Sequence, residues 1–106
     1  MSVVEEADGA RLRAAIAGGG RLLVEFWAPW CVQCTPMARV VERVAQNLPD
    51  DVAVLKVNVA EDELAGEFAV DALPALRLFV DGRAATAISG FARPPAVLEQ
   101  LRAHLS

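Results

Sequence analysis

The pair Cys31 and Cys34, with two residues between them, constrains this chain more than any other feature. They are its two cysteines, and they stand between an apolar run at 22–27 and a stretch of apolar residues at helical spacing. A Cys-x-x-Cys between a strand and a helix is typical of a dithiol that cycles with a disulfide. Residues three apart in a first helical turn share one face, which places their Cα atoms roughly 5–6 Å apart, within disulfide reach.

The same two cysteines have two other interpretations. A structural zinc site usually takes four ligands, and the chain offers besides them only one histidine, His104, far away in the sequence. Zinc would therefore require a dimer, so we expect no metal. The two thiols could also be buried and inert. His104 lies near the end of a predicted helix, where a solvated histidine is mildly favoured.

Composition and charge exclude several classes of protein. A chain of 106 residues is expected to fold as one domain, 1–106, around its own core. Its net charge of −4 argues against nucleic-acid binding, which needs a basic face. The chain contains no apolar run of about 18 residues, so no membrane span is predicted. The start of the chain has no basic end and no apolar signal stretch, so we expect a cytoplasmic protein, where paired thiols are more often catalytic or metal-binding than structural.

The spacing of apolar residues predicts alternating strands and helices. Helices are predicted at 6–17, 37–48, 60–70 and 94–105. Strands are predicted at 22–27, 52–59, 76–80 and 84–89, the last two joined by a hairpin turn at Asp81-Gly82. This order predicts an α/β fold with a mixed sheet of four to five strands, covered by helices on both faces.

Short motifs surround the cysteines along the chain. They are Phe26-Trp27-Ala28-Pro29-Trp30-Cys31-x-x-Cys34, Lys56-Val57-Asn58-Val59, Leu73-Pro74-Ala75, Asp81-Gly82 and Gly90. On these motifs the chain, from about residue 10 onward, resembles the thioredoxin family. The resemblance implies the thioredoxin fold, with Cys31 as the attacking thiolate and Cys34 as the thiol that resolves the mixed disulfide.

Glu25 interrupts an apolar strand that both faces of the sheet should cover. A carboxyl group desolvated in this way has a raised pKa. The family has an acid here, usually Asp, thought to accept the proton of the resolving thiol, and Lys56 matches a family lysine that approaches it. We therefore expect catalytic roles for Glu25 and Lys56. The alternative is that Glu25 faces solvent at the end of the sheet.

The resemblance also implies a docking surface around Cys31. Sequence statistics alone favour a trans bond before Pro74, but the matching family proline is cis and packs beside the dithiol. An ordinary loop proline is the alternative, and Trp27 could be plain core. The expected substrate-binding residues are Trp30, Ala72, Leu73, Pro74, Ala75, Gly90 and Phe91, and the expected supporting residues are Trp27, Pro29, Val32 and Gln33.

Two departures from the family pattern affect these expectations. Val32-Gln33 replaces the family's Gly-Pro, and no histidine stands between the cysteines, so we expect a reduction potential intermediate between reductants and oxidants of this fold. Arg39 stands where the family has a proline that kinks this helix, and a proline appears instead at Pro36, two residues after Cys34. If a helix starts at Cys31, Pro36 disrupts it. Alternatively, Thr35 caps a new helix and Pro36 is its first residue, a favoured pairing. We therefore expect an irregularity near 32–36 and none at Arg39.

The leading hypothesis from the sequence is a monomeric thiol–disulfide oxidoreductase that reduces protein disulfides. The resemblance implies that an NADPH- or ferredoxin-linked reductase recycles it and that no bound cofactor is needed. A dedicated oxidase or isomerase is one alternative. Others are a binding module whose dithiol is dispensable and a redox sensor whose partner affinity changes when the disulfide closes.

Overall fold

A computed structural model describes residues 1–105 and shows a five-stranded sheet flanked by helices. The strands are β1 (Val4–Ala7), β2 (Arg21–Trp27), β3 (Val52–Asn58), β4 (Ala75–Val80) and β5 (Arg83–Ser89). The helices are α1 (Gly9–Ala17), α2 (Cys34–Gln46), α3 (Leu64–Glu67) and α4 (Pro94–Arg102). The predicted fold class is confirmed.

The sheet is mixed, with the order β1-β3-β2-β4-β5. Strands β1, β3 and β2 are parallel, whereas β4 runs antiparallel to β2 and β5 antiparallel to β4. Strand β2 is central, paired by β3 on one side and by β4 on the other. Its position explains why 22–26 is a continuous buried run rather than an alternating one.

Each face of the sheet has its own apolar core. On one face Leu23 packs in a cluster with residues of α2 and α4, among them Met37 and Leu101. On the other face Phe26 packs in a cluster with Leu12 of α1 and residues of α3. Both faces are therefore covered, as predicted, and any side chain that points from β2 into either core loses its contact with water.

All four predicted helices have different bounds in the structure, and the one predicted at 37–48 is α2, Cys34–Gln46. Glu6 and Ala7 belong to β1, an edge strand that pairs with β3, and the helix starts at Gly9 because the Asp8 side chain accepts a hydrogen bond from the Arg11 amide. The predicted helix 60–70 shrinks to α3 because residues on both sides of it have a left-handed backbone. The last helix ends at 102 rather than 105.

The longest helix described, α2, has 13 residues. Within residues 1–105 no helix combines the length and the apolar character that crossing a bilayer requires.

Candidate redox site

Cys31 and Cys34 form a disulfide in the turn that joins β2 to α2. Their Cα atoms are 5.4 Å apart, as expected from the spacing. The turn is held by two backbone hydrogen bonds, from the Cys31 amide to the Ala28 carbonyl and from the Cys34 amide to the Cys31 carbonyl. Cys34 is 5% exposed, whereas Cys31 is only partly buried. An external partner therefore has access to Cys31 before Cys34.

The α-helix begins at Cys34, so the interpretation that places Cys31 inside its first turn is wrong. Gln33 is the N-cap residue, and Thr35 does not cap the helix. Pro36 is the third helical residue, where a backbone N–H would have no partner within the helix. Of the stretch 32–36, where an irregularity was expected, residues 32–33 form a turn and 34–36 are regular helix. Arg39 lies inside an uninterrupted helix, as expected.

Glu25 is fully buried on central strand β2. Neither of its carboxylate oxygens has a hydrogen-bond partner among the described residues. Burial raises the pKa of Glu25 to about 7, against the opposing effect of the Lys56 charge, while Glu6 and Glu42 add to the rise. The alternative of a solvent-facing Glu25 is thus wrong, and the carboxyl group titrates near neutral pH.

Lys56 lies opposite Glu25 on neighbouring strand β3. Its ammonium group is 4.9 Å from the centre of the Trp27 ring, a cation–π distance. The indole nitrogen of Trp27 is buried and makes no hydrogen bond to a described residue. Trp27 therefore does more than fill the core, because the ammonium group of Lys56, the one lysine of the chain, lies over its ring beside the disulfide.

Two clefts border the disulfide. The larger is an open groove of about 430 Å³, next to Cys31. Its walls contain the predicted residues Trp30, Cys31, Val32, Gln33, Ala72 and Leu73, together with Val59, Ala65, Val70 and Asp71. The smaller, of about 210 Å³, is lined by Trp27, Ala28, Pro29, Cys31, Cys34, Thr35, Ala38 and Lys56. The structure thus brings Lys56 and both cysteines to one cleft.

Sequence reasoning missed Val59, Ala65, Val70 and Asp71 as groove residues. Val59 ends a predicted strand, Ala65 and Val70 belong to a segment predicted as plain helix, and Asp71 follows that segment, so no motif marked them. The groove is largely apolar, and Trp30 at its edge is 71% exposed. Such exposed apolar surface is typical of a place where another chain binds.

The remaining predicted docking residues lie outside the lining of both clefts. The bond between Leu73 and Pro74 is cis, as the resemblance implied, and Pro74 is buried. The Gly90 amide donates a 2.7 Å hydrogen bond to the Pro74 carbonyl, which links the end of β5 to the loop before β4. Ala75, the first residue of β4, is buried, and Phe91 is 46% exposed.

No group of three or more His, Cys, Asp or Glu side chains able to hold a metal ion occurs within residues 1–105.

Comparison with known proteins gives one consistent family. The family model described as Thioredoxin matches residues 3–103. Thioredoxin of Bacillus subtilis (strain 168) is 33% identical over 106 residues, which cover 99% of this chain and 100% of that protein. Thioredoxin of Alicyclobacillus acidocaldarius is 40% identical over 98 residues, 92% of this chain and 90% of that one.

Solved structures agree with the sequence relatives. Chloroplastic thioredoxin z has a TM-score of 0.83 at 31% identity, over 94% of this chain and 92% of that one. A mutant thioredoxin from Halobacterium salinarum NRC-1 has a TM-score of 0.82 at 26% identity, over 99% of this chain and 91% of that one. Fold and disulfide together define a thiol–disulfide oxidoreductase that acts on protein disulfides. The chain belongs to the thioredoxin family.

Proposed function

We propose that this protein reduces disulfides in other proteins, with Cys31 as the attacking thiolate and Cys34 as the resolving thiol. The observation that carries the assignment is the difference in burial: Cys31 is accessible beside the groove, and Cys34 is 5% exposed. Cys34 is the first residue of α2, and the partial positive charge of a helix N-terminus favours a nearby thiolate.

Two exchange steps move two electrons to the substrate. In the first, the Cys31 thiolate attacks one sulfur of the substrate disulfide, forms a mixed disulfide and releases the other sulfur as a thiolate. In the second, Cys34 loses its proton and attacks the Cys31 sulfur, which releases the second substrate thiolate and leaves Cys31 and Cys34 oxidised.

Glu25 is the proposed acceptor of the Cys34 proton. A general base works best when its pKa is near the working pH, and the pKa of Glu25 is raised to about 7. Lys56 borders the same cleft as Cys34, and its charge opposes the rise in the pKa of Glu25. Its proposed role is to keep the carboxyl group from remaining protonated at neutral pH.

The groove beside Cys31 is the proposed site for an extended segment of the substrate. Trp30 and Leu73 supply apolar contact at its walls. The buried Pro74 and Ala75, and beyond them Gly90 and Phe91, are proposed to complete the docking surface. Pro29, Val32 and Gln33 border the two clefts, where they shape the approach to Cys31.

The proposed partners follow the thioredoxin pattern. Protein disulfides are the substrates, and a thioredoxin-reductase-type protein linked to NADPH or ferredoxin recycles the oxidised form. Thioredoxins need no bound cofactor because the exchange uses their own cysteines. We further propose a cytoplasmic monomer that folds as one domain over 1–106.

Insulin reduction tests the proposal directly. Pre-reduced protein mixed with oxidised insulin should generate insulin thiols in proportion to the protein disulfide formed, and Cys31→Ser should generate none. Retention of full biological activity by Cys31→Ser would instead support a binding module with a dispensable dithiol.

A further inference from the structure

An arginine lies in the apolar face of strand β4. Arg77 is only partly exposed, and Ala75 and Phe79, which point to the same face two residues away, are buried in the core shared with α1 and α3. A guanidinium in such a place requires partners that offset its loss of water. The identity of those partners indicates what the residue does.

The partners of Arg77 belong to the end of α3 and to the core beneath it. One guanidinium nitrogen donates a 2.6 Å hydrogen bond to the carbonyl of Phe68. The guanidinium carbon lies 5.2 Å from the centre of the Phe26 ring, which is itself 6.0 Å from the Phe68 ring. Arg77 therefore fixes Phe68 through its backbone, while Phe26 holds both the cation and the Phe68 ring.

Phe68 is the C-cap residue of a helix that has only four residues. A helix of that length is not stable by itself. After Phe68 the chain reverses through Ala69, whose φ is 52°, and the Val70 amide returns to the Ala65 carbonyl at 2.8 Å. Ala65 and Val70 both line the groove beside Cys31. The carbonyl that Arg77 holds thus lies inside the turn that forms one wall of the groove.

We propose that Arg77 is a positioning residue for substrate docking: by holding the Phe68 carbonyl it keeps the groove wall, residues 65–73, in the shape that accepts a substrate segment. Arg77 lines neither cleft, so it acts through Phe68. The inference rests on the proposed function of the groove. Lysine cannot reproduce it fully, since it lacks the planar group that stacks on a ring and donates at the same time.

Arg77→Met tests the inference because methionine keeps apolar contact with Phe26 and removes the hydrogen bond. Single-turnover oxidation of the pre-reduced protein is followed over a range of insulin concentrations. If only a fraction of the Arg77→Met molecules has a formed groove, the half-saturating insulin concentration rises by the inverse of that fraction. The expected rise is about five- to tenfold. The maximal rate, and the rate with the small disulfide 5,5′-dithiobis(2-nitrobenzoate), should stay within about twofold.

Two further variants and one structural readout complete the test. Arg77→Lys should recover part of the insulin affinity, and Arg83→Met, at an exposed arginine of β5, should match the wild type. Hydrogen exchange at the Val70 amide should be faster in Arg77→Met. The inference would be overturned if folded Arg77→Met or Arg77→Lys had the half-saturating insulin concentration of the wild type. It would also be overturned if the variant lost rate equally with insulin and with 5,5′-dithiobis(2-nitrobenzoate). A wild-type protein that reduces neither disulfide would refute the proposed function itself.

Discussion

Glu25 and Lys56 face each other on neighbouring parallel strands, yet they make no hydrogen bond. The Lys56 ammonium lies over the Trp27 ring instead, and the same lysine is also in register with Glu6 of β1. Its charge only partly offsets the desolvation of Glu25, whose pKa remains raised, at about 7. The buried acid is therefore ready to exchange a proton at neutral pH rather than being locked in an ion pair.

This raised pKa predicts how stability depends on pH. Because the pKa of Glu25 rises from 4.5 to about 7 on folding, the unfolded chain releases this proton first. The contribution of protonated Glu25 to the free energy of unfolding is therefore complete below pH 4.5 and is lost as the pH rises to about 7. The difference in free energy of unfolding between Glu25→Gln and the wild type should therefore grow by about 3 kcal/mol, in favour of the variant, from about pH 4 to about pH 8. Denaturant titrations of the oxidised proteins measure it.

A matched control is Glu61→Gln, which removes an exposed acid. Its stability relative to the wild type should change by no more than about 0.5 kcal/mol over the same range. A difference in free energy of unfolding between Glu25→Gln and the wild type that does not change with pH would contradict the raised pKa of Glu25.

Resolution of the mixed disulfide should also depend on Glu25. If its ionised form accepts the Cys34 proton, the rate at which Cys34 displaces substrate from Cys31 rises as pH increases through about 7 and then levels off. Glu25→Gln should lose this inflection and resolve roughly 10²-fold more slowly at neutral pH, the lower range for general base catalysis. Rapid-quench mass spectrometry of the mixed disulfide measures the rate. An inflection that survives in Glu25→Gln would exclude the carboxyl as the base.

The order of the two cysteines predicts opposite results for their serine variants. Cys34→Ser should accumulate a mixed disulfide through Cys31, since the second exchange step has no thiol. Cys31→Ser should accumulate almost none, because Cys34 is buried. Non-reducing electrophoresis with insulin as substrate distinguishes them, and efficient trapping by Cys31→Ser would reverse the assigned roles.

Pro36 should be nearly neutral for stability. It lies in the first turn of α2, where its missing N–H leaves no hydrogen bond unmade. Pro36→Ala should thus lower the free energy of unfolding by no more than about 1 kcal/mol, through the greater freedom of the unfolded chain. Arg39→Pro, in the interior of α2, should cost about 3 kcal/mol. Thermal and denaturant unfolding measure both, and equal costs would mean that α2 does not begin at Cys34.

Much of the fold was predictable because its signals are local. The buried run of β2 and the apolar spacing of α2 indicate their elements directly, and the Cys-x-x-Cys defines the turn between them. Strand β1 was missed because its pattern is partly exposed and short, and only its pairing with β3 identifies it as a strand. Helix α3 was overestimated because Ala69 adopts a left-handed backbone that nothing in its side chain indicates.

The site was predicted in part. The cysteines, Glu25 and Lys56 lie within motifs, and the cis bond before Pro74 followed from the resemblance. The far wall of the groove, with Ala65 and Val70, could not be predicted, because small apolar residues become a binding surface only through the way the chain turns around them. The position of the Lys56 ammonium over Trp27 likewise depends on packing rather than on sequence order.

The equilibrium reduction potential of the Cys31–Cys34 couple, measured in glutathione or dithiothreitol buffers, tests the central claim most directly. A protein-disulfide reductase with Val32-Gln33 in place of Gly-Pro should have a potential between about −270 mV, typical of thioredoxin, and about −200 mV. A value above about −200 mV would contradict the reductase account and favour an oxidase or isomerase. Failure to form the disulfide would contradict any redox role.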